Sequence, residues 1–161
     1  MTLTLAHTAA YLRNPELTEA VRLLAEHGDI EERGAIYTRI EVVRGLLDLV
    51  GYTEDSNLTE CQALEPSCGD GEFLIEMVNR LIAVCERQRI KPDMWPRVLR
   101  DAIRGVELHA PTSERTRLKI SDMLTAAGLA RANAESLAAT WIVNDDFLLA
   151  DLNLQFDIIA G

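Results

Sequence analysis

The stretch from Leu64 to Leu74, Leu-Glu-Pro-Ser-Cys-Gly-Asp-Gly-Glu-Phe-Leu, constrains the fold of this chain more than any other. A short apolar run leads into Gly69 and Gly71, and apolar residues then recur at helical spacing. The pattern predicts a strand, a tight glycine loop and a helix. Glycine tolerates positive φ, and the first N–H groups of a helix lack internal partners. The loop is therefore a candidate ligand site.

This loop differs from the two common phosphate-binding loops. The third glycine of the dinucleotide fingerprint would fall at Leu74. The Gly-Lys-Ser/Thr of a phosphate loop does not follow either. Three acids, Glu65, Asp70 and Glu72, surround the glycines, and they would repel a pyrophosphate but not a cationic or hydroxyl-rich ligand. Taken alone, a Gly-x-Gly pair is also typical of an ordinary strand-to-helix turn.

Composition limits the classes that fit. The 161 residues suit one domain, and a 48% hydrophobic share suffices for a core. The net charge of -10 predicts a poor nucleic-acid binder, because phosphate backbones would be repelled. The three cysteines form no Cys-x-x-Cys pair, which predicts free thiols, and no metal-ligand spacing is present. Without a secretory signal or an apolar run long enough for a bilayer, we expect a soluble, cytoplasmic protein.

Downstream segments complete an α/β pattern. Residues 102–108 read as a second strand that ends at Glu107, and a carboxylate there points into the ligand crevice of such a sheet. It could accept two hydrogen bonds from a ribose diol, although in isolation it is an ordinary strand-end acid. Residues 140–143 and 155–160 read as the third and fourth strands. Right-handed crossovers predict the strand order 3-2-1-4.

Helices are predicted between and before these strands. Thr38 and Glu41 have capping-box spacing ahead of an apolar stripe that ends at Gly51. Residues 89–101, with two prolines and many basic residues, interrupt the pattern and read as an insertion with a short helix. A further helix follows over 112–127, with exposed basic residues near its start, and Asn133 could cap a short helix after it.

The string Glu-Pro-Ser-Cys-Gly-Asp-Gly-Glu-Phe-Leu resembles the cofactor loop of S-adenosylmethionine (SAM) dependent methyltransferases that modify the exocyclic amino group of adenine in DNA. Three other segments resemble motifs of that family. Gly34, Tyr37 and Thr38 match its Gly-x-x-Tyr-Thr-Pro segment, although Arg39 replaces the proline. Gly105–Glu107 matches Gly-x-Glu, and Asp146-Phe147 matches an Asp-Phe pair. The resemblance covers about residues 33–161.

The resemblance implies a partial Rossmann-like class I methyltransferase fold, with a helical lead-in over residues 1–33 and an incomplete SAM-binding part over 34–161. Thr38 would meet the carboxylate of the cofactor's methionine part, and Arg39 is a hypothetical further partner. Asp146 would accept from the adenine amino group, and Phe147 would pack on the ring. The implied cofactor-binding residues are Tyr37, Thr38, Glu65, Pro66, Ser67, Cys68, Gly69, Asp70, Gly71, Phe73, Glu107, Leu108, Asp146 and Phe147.

The function implied is methyl transfer to adenine in DNA, in restriction-modification or phage defence. In the family, Phe-Asp-x-Ile-x-Gly runs into Asn-Pro-Pro-Tyr/Phe, which holds the flipped target base. Residues 156–161 match the first motif, and the sequence stops one residue before the second. We therefore expect this segment to bind SAM, to lack catalytic residues and activity alone, and to depend on absent regions for DNA. An exposed edge at residues 155–160 predicts self-association.

Three alternatives remain open from the sequence. A methyltransferase for RNA or for protein glutamine would have a similar loop, although the Tyr37-Thr38 segment favours a DNA enzyme. A non-catalytic module that binds SAM or a partner chain would look the same over these residues. A nucleotide-binding Rossmann domain is disfavoured by Leu74 and by the acidic crevice.

Overall fold

The computed structural model describes residues 39–161, so the predicted lead-in over 1–33, Tyr37 and Thr38 lie outside the described part. Four strands and five α-helices alternate along it. The strands are β1 (Ala63–Glu65), β2 (Ile103–Glu107), β3 (Ile142–Asn144) and β4 (Ile158–Ile159). The helices are α1 (Ile40–Leu49), α2 (Glu72–Arg87), α3 (Trp95–Val98), α4 (Ala110–Ala126) and α5 (Arg131–Trp141). Short 3-10 turns lie at Leu58–Glu60 and Pro92–Met94.

The strands form one parallel sheet in the order β3-β2-β1-β4. Glu65 pairs with Gly105 at the end of β1, and Glu107 pairs with Asn144 at the end of β2. Parallel pairing brings the carboxyl ends of these strands to one edge of the sheet, where ligands bind in such folds. The predicted strand order and the Rossmann-like class are confirmed.

The core lies between the sheet and the helices. The apolar face of α2 is buried, including Leu74, Met77 and Leu81. The 89–101 insertion takes part in this core through Trp95 on the short helix α3. Its indole N–H donates to the Ile90 carbonyl at 3.1 Å, and that of Trp141 donates to the Leu99 carbonyl at 2.9 Å. The insertion is therefore packed structure rather than a detached loop, and its predicted short helix is present.

Several predicted boundaries are wrong. The N-cap residue of α1 is Arg39 rather than the predicted Thr38, and the Arg39 side chain makes no capping hydrogen bond. Ala130 occupies the N-cap position of α5, so Asn133 lies inside the first turn instead of capping it. The helix continues through Trp141 and takes two residues from the predicted third strand. Ala138 and Ala139, just before the two added residues, favour helix, and burial of Trp141 stabilises the extension.

The fourth strand is shorter than predicted. Ladder pairing covers Ile158–Ile159, while the N–H groups of Asp157 and Ala160 also donate to the β1 segment. In the described sheet β4 is an edge strand, and Ile159 is 61% exposed. Self-association through this edge stays a prediction. No helix in the described part is long and apolar enough to cross a membrane.

Helix α1 is attached to α2 by a buried guanidinium group. Arg80, which is 7% exposed, donates to the Asp48 carboxylate at 2.6 Å and to the Tyr52 carbonyl at 2.7 Å. It also contacts Glu76 at 3.1 Å, and the other oxygen of Glu76 contacts Arg44 at 3.2 Å. This network fixes the position of α1, whose first residue, Ile40, is two positions after Thr38 in the sequence.

Arg80→Met should lower the free energy of unfolding by about 3 kcal/mol or more, because it leaves the buried Glu76 with one partner fewer. Urea denaturation measures this. Arg87→Met is the matched control, since Arg87 is also on α2 but makes its ion pair with Asp55 on the surface. That change should cost less than about 1 kcal/mol. Equal losses in the two variants would contradict a stabilising role for the network.

Candidate functional site

The loop between β1 and α2 has the backbone that its glycines predict. Gly69 has φ of 49° and Gly71 has φ of 90°, both in the left-handed region. The Cys68 N–H donates to the Val106 carbonyl at 2.8 Å, and the Gly71 N–H donates to the Cys68 carbonyl at 2.8 Å. The loop is therefore a closed turn that is attached to β2 by its backbone.

Close packing explains why glycine is needed at two positions. A Cβ atom on Gly71 would lie 2.7 Å from Cγ2 of Thr116. A Cβ atom on Gly105, in β2, would lie 2.7 Å from Cδ1 of Leu74 and 3.3 Å from Sγ of Cys68. Because Gly105 has no side chain, the loop and the start of α2 can approach the sheet closely.

Helix α4 supports the loop with three side chains. The buried Thr116 hydroxyl donates to the Gly69 carbonyl at 2.8 Å, and Lys119 Nζ donates to the Asp70 carbonyl at 2.8 Å. Arg115 forms an ion pair with the Asp70 carboxylate at 3.1 Å. The sequence predicts exposed basic residues near the start of this helix, and Arg115 and Lys119 are exposed. The sequence does not predict that these two side chains contact the loop. Their spacing on one helix face with Thr116 was the available signal.

Arg117, on the same helix, is less exposed than the sequence predicts. It was predicted to be exposed, but its side chain is partly buried, and its guanidinium donates twice to the Ile142 carbonyl, at 3.0 and 2.8 Å. This contact joins α4 to the start of β3.

Glu107 connects the end of β2 to the glycine loop. Its Oε2 accepts the Gly69 N–H at 2.9 Å, and its Oε1 accepts the His109 N–H at 2.8 Å. Each carboxylate oxygen has two lone pairs, so each can still accept one hydroxyl donor. The carboxylate is thereby held by two backbone groups at the crevice edge, where the sequence reading expected it.

Asn144, at the end of β3, holds the chain that follows Glu107. Its Nδ2 donates to the Glu107 carbonyl at 2.7 Å and to the Leu108 carbonyl at 2.9 Å. The sequence reading gave Asn144 no role. Asp146 follows on a turn in which its Oδ1 accepts the Leu148 N–H at 2.9 Å. The next residue, Phe147, is 39% exposed.

Glu65 is the most unusual group of the site. The residue is 3% exposed, and its Oε2 has no hydrogen-bond partner among the described residues. Burial raises the pKa of this carboxyl to about 9, with smaller contributions from Glu72 and Glu107, while the Leu74 N–H acts in the opposite direction. Glu65 therefore carries a proton at neutral pH.

This protonation changes the predicted charge of the pocket. The sequence reading counted Glu65, Asp70 and Glu72 as a negative set around the loop. Glu65 is neutral near pH 7, and Asp70 is paired with Arg115. The surroundings of the glycine loop are therefore less negative than predicted. The acids there that form no ion pair within the described part and keep their negative charge are Glu72 and Glu107.

The remaining predicted residues are distributed around this loop. Cys68 is buried, and burial together with Glu65 and Glu107 raises the pKa of its thiol, so it stays protonated. Phe73 is 5% exposed and belongs to the hydrophobic core. Pro66 is half-buried and Ser67 is exposed. No group of three or more His, Cys, Asp or Glu residues in the described part could hold a metal ion.

Comparison with known proteins shows which family this chain resembles. The chain is 44% identical to Type II methyltransferase M.PaeR7I of Pseudomonas aeruginosa over 142 residues, 88% of this chain. It is 40% identical to Type II methyltransferase M.XhoI of Xanthomonas vasicola over 81% of this chain. Over these residues, the chain is a relative of the Type II methyltransferases. A third such enzyme, M.BstVI of Geobacillus stearothermophilus, is 35% identical over 80% of this chain.

The chain spans about a quarter of the length of these methyltransferases, between 24% and 25%. No protein-family model and no solved structure matches it. The expected resemblance to methyltransferases of restriction-modification type is confirmed. Specificity for adenine goes beyond what the relatives' names state.

Gly71→Ala should destabilise the protein by about 1–3 kcal/mol, because φ of 90° and the Thr116 contact both oppose a Cβ atom. Gly45→Ala in α1 is the matched control. A Cβ atom there would have no heavy atom within 4 Å, so alanine should stabilise the helix by about 0.5–1 kcal/mol. Chemical denaturation of both variants measures the difference, and a neutral Gly71→Ala would contradict the loop geometry.

Glu65→Gln should make stability less dependent on pH. Below the ordinary pKa of 4.5 the carboxyl is protonated in both states; between 4.5 and about 9 only the folded state keeps the proton. Wild-type protein should therefore lose up to about 1.4 kcal/mol per pH unit, relative to Glu65→Gln, as pH rises through this window. Urea titrations at several pH values measure this, and parallel curves would contradict a buried, protonated Glu65.

Proposed function

We propose that this chain is the SAM-binding part of a DNA methyltransferase that transfers a methyl group to the exocyclic amino group of adenine. The similarity to Type II methyltransferases over 80–88% of the chain supports this more than any other observation. The described residues that match the family's motifs lie at or shortly after the carboxyl ends of β1, β2 and β3, and the glycine loop and Glu107 are hydrogen-bonded to each other. SAM supplies the electrophilic methyl group when it is bound.

The polar groups of the crevice suit SAM better than a phosphorylated nucleotide. The Gly69 N–H, which a phosphate cradle would offer to its ligand, donates to the Glu107 carboxylate instead. Glu107 places an acceptor pair where a ribose diol can donate to it. The negative charge on Glu72 and Glu107 favours a cationic ligand and disfavours a phosphate. SAM combines a diol with a sulfonium cation and carries no phosphate.

Two residues that follow β3 are proposed to bind the adenine part of the cofactor. Asp146 would accept from the adenine amino group of the cofactor, and the half-exposed ring of Phe147 would stack on that adenine. Tyr37 and Thr38 are proposed partners of the methionine part, and DNA would be bound by other regions of the full-length enzyme.

Two other functions compete with this proposal. A methyltransferase acting on RNA or protein glutamine would have the same cofactor groups, so the present site favours neither acceptor. A module that binds SAM without transferring its methyl group would also have them. The relatives' names, Type II methyltransferases, favour a DNA enzyme over both.

Asp146→Ala should weaken SAM binding about ten- to a hundredfold, because a hydrogen bond to a charged group contributes about 1.5–3 kcal/mol and each 1.4 kcal/mol is a factor of ten. Asp151→Ala is the matched control, since Asp151 is an exposed acid a few residues further along the chain. Calorimetry measures both affinities. SAM should also raise the melting temperature of the wild-type protein, whereas NADH should not. Binding of NADH but not SAM would contradict the proposal.

The acceptor is tested with the full-length enzyme, radiolabelled SAM and three substrates: DNA, RNA and a glutamine-containing protein. The proposal expects label in DNA, and nuclease digestion followed by mass spectrometry should identify N6-methyladenine. Label in cytosine, RNA or protein would establish one of the other acceptors. SAM binding without label in any substrate would favour a non-catalytic module.

A further inference from the structure

Glu65 is buried with one of its two carboxyl oxygens unpaired among the described residues. A Cβ atom on Gly161 would lie 3.1 Å from the Cγ of Glu65 and 3.8 Å from its Oε1, so the chain just after β4 lies against the side chain. Its Oε2 has no hydrogen-bond partner among the described residues. Leaving a buried polar atom unpaired is costly, and such atoms are uncommon in folded proteins. The free oxygen indicates a partner that the described residues do not supply.

The charges around Glu65 favour a cation as its partner. Glu72, at the start of α2, and Glu107, at the end of β2, are the charged carboxylates that act on it, and both disfavour its ionised form. The neighbouring Cys68 thiol is protonated and adds no charge. The Leu74 N–H is the group that favours ionisation. A cationic ligand would reverse this balance, because an opposite charge nearby favours the ionised carboxylate.

We propose that Glu65 releases its proton to solvent when SAM binds, so that cofactor binding is coupled to deprotonation of this buried carboxyl group. The inference rests on the proposed function, since SAM is the cation. The O–H bond of the Glu65 carboxyl breaks, the electron pair stays on the carboxylate, and the proton passes to water or buffer. The bound cofactor then faces three carboxylates instead of two, and SAM affinity rises with pH.

The coupling has a defined direction. The free protein keeps the Glu65 proton up to a pH of about 9. A cation close to a carboxyl lowers its pKa by about 1–3, so the bound form should be largely ionised near pH 8. SAM should therefore release roughly half a proton or more from Glu65 at that pH.

Isothermal titration calorimetry in buffers of different ionisation enthalpy measures the protons released per SAM bound. The amino group of SAM also titrates near pH 8, so the result is the difference between wild-type protein and Glu65→Gln, both as the full-length enzyme. Wild type should release roughly half a proton more than Glu65→Gln. Glu60→Gln is the matched control: Glu60 is exposed before the opposite end of β1, and this variant should behave as wild type.

Glutamine imitates the protonated carboxyl in shape and charge, so thermal unfolding at pH 6 should show both proteins equally folded. A second measurement needs no variant: the carboxyl carbon of Glu65, followed by ¹³C NMR at pH 8, should shift to the ionised position when SAM is added. Equal proton release by wild type and Glu65→Gln, or an unchanged Glu65 signal, would overturn the inference. Absence of any SAM binding would instead overturn the proposed function.

Discussion

The contact on which the site depends is the pair of hydrogen bonds from the Gly69 and His109 N–H groups to the Glu107 carboxylate. One side chain thereby joins the loop after β1 to the chain after β2. The backbone bond from Cys68 to Val106 adds a second connection between the same two segments. Because β1 and β2 are also paired in register, the position of the loop relative to the strand edge is fixed by three independent contacts.

Helix α4 supports this edge directly, and a second set of contacts attaches α1 to α2. Thr116 and Lys119 of α4 donate to carbonyls of the glycine loop, while Arg117 of the same helix donates to the first residue of β3. Arg80 of α2 attaches α1 to α2. The glycine loop and Glu107 therefore lie on segments whose positions are determined by buried or half-buried polar contacts, as preorganisation of a site requires.

The acidic groups near the glycine loop differ in charge. Asp70 is neutralised by Arg115, and Glu65 by its own proton, which leaves Glu72 and Glu107 as the main unpaired charges. Holding Glu65 protonated avoids three buried or half-buried carboxylates repelling one another in the free protein. A cation entering the crevice changes that balance more than it would in a fully exposed acidic patch, because charges interact more strongly away from water.

The sequence determined the strand–loop–helix unit, the strand order, the positive φ of Gly69 and Gly71, and the resemblance to methyltransferases, because each is encoded in local spacing or in a contiguous motif. It misplaced the ends of α5 and β4, where packing outweighs local preference. Only the tertiary structure decided that Glu65 is protonated and that Thr116 supports the loop. Thr116 and Gly69 are separated by 47 positions in the sequence. Glu65, at the end of β1, is surrounded by residues from α2, from β2 and from the chain after β4. Burial and charge depend on such through-space neighbours, which linear spacing does not specify.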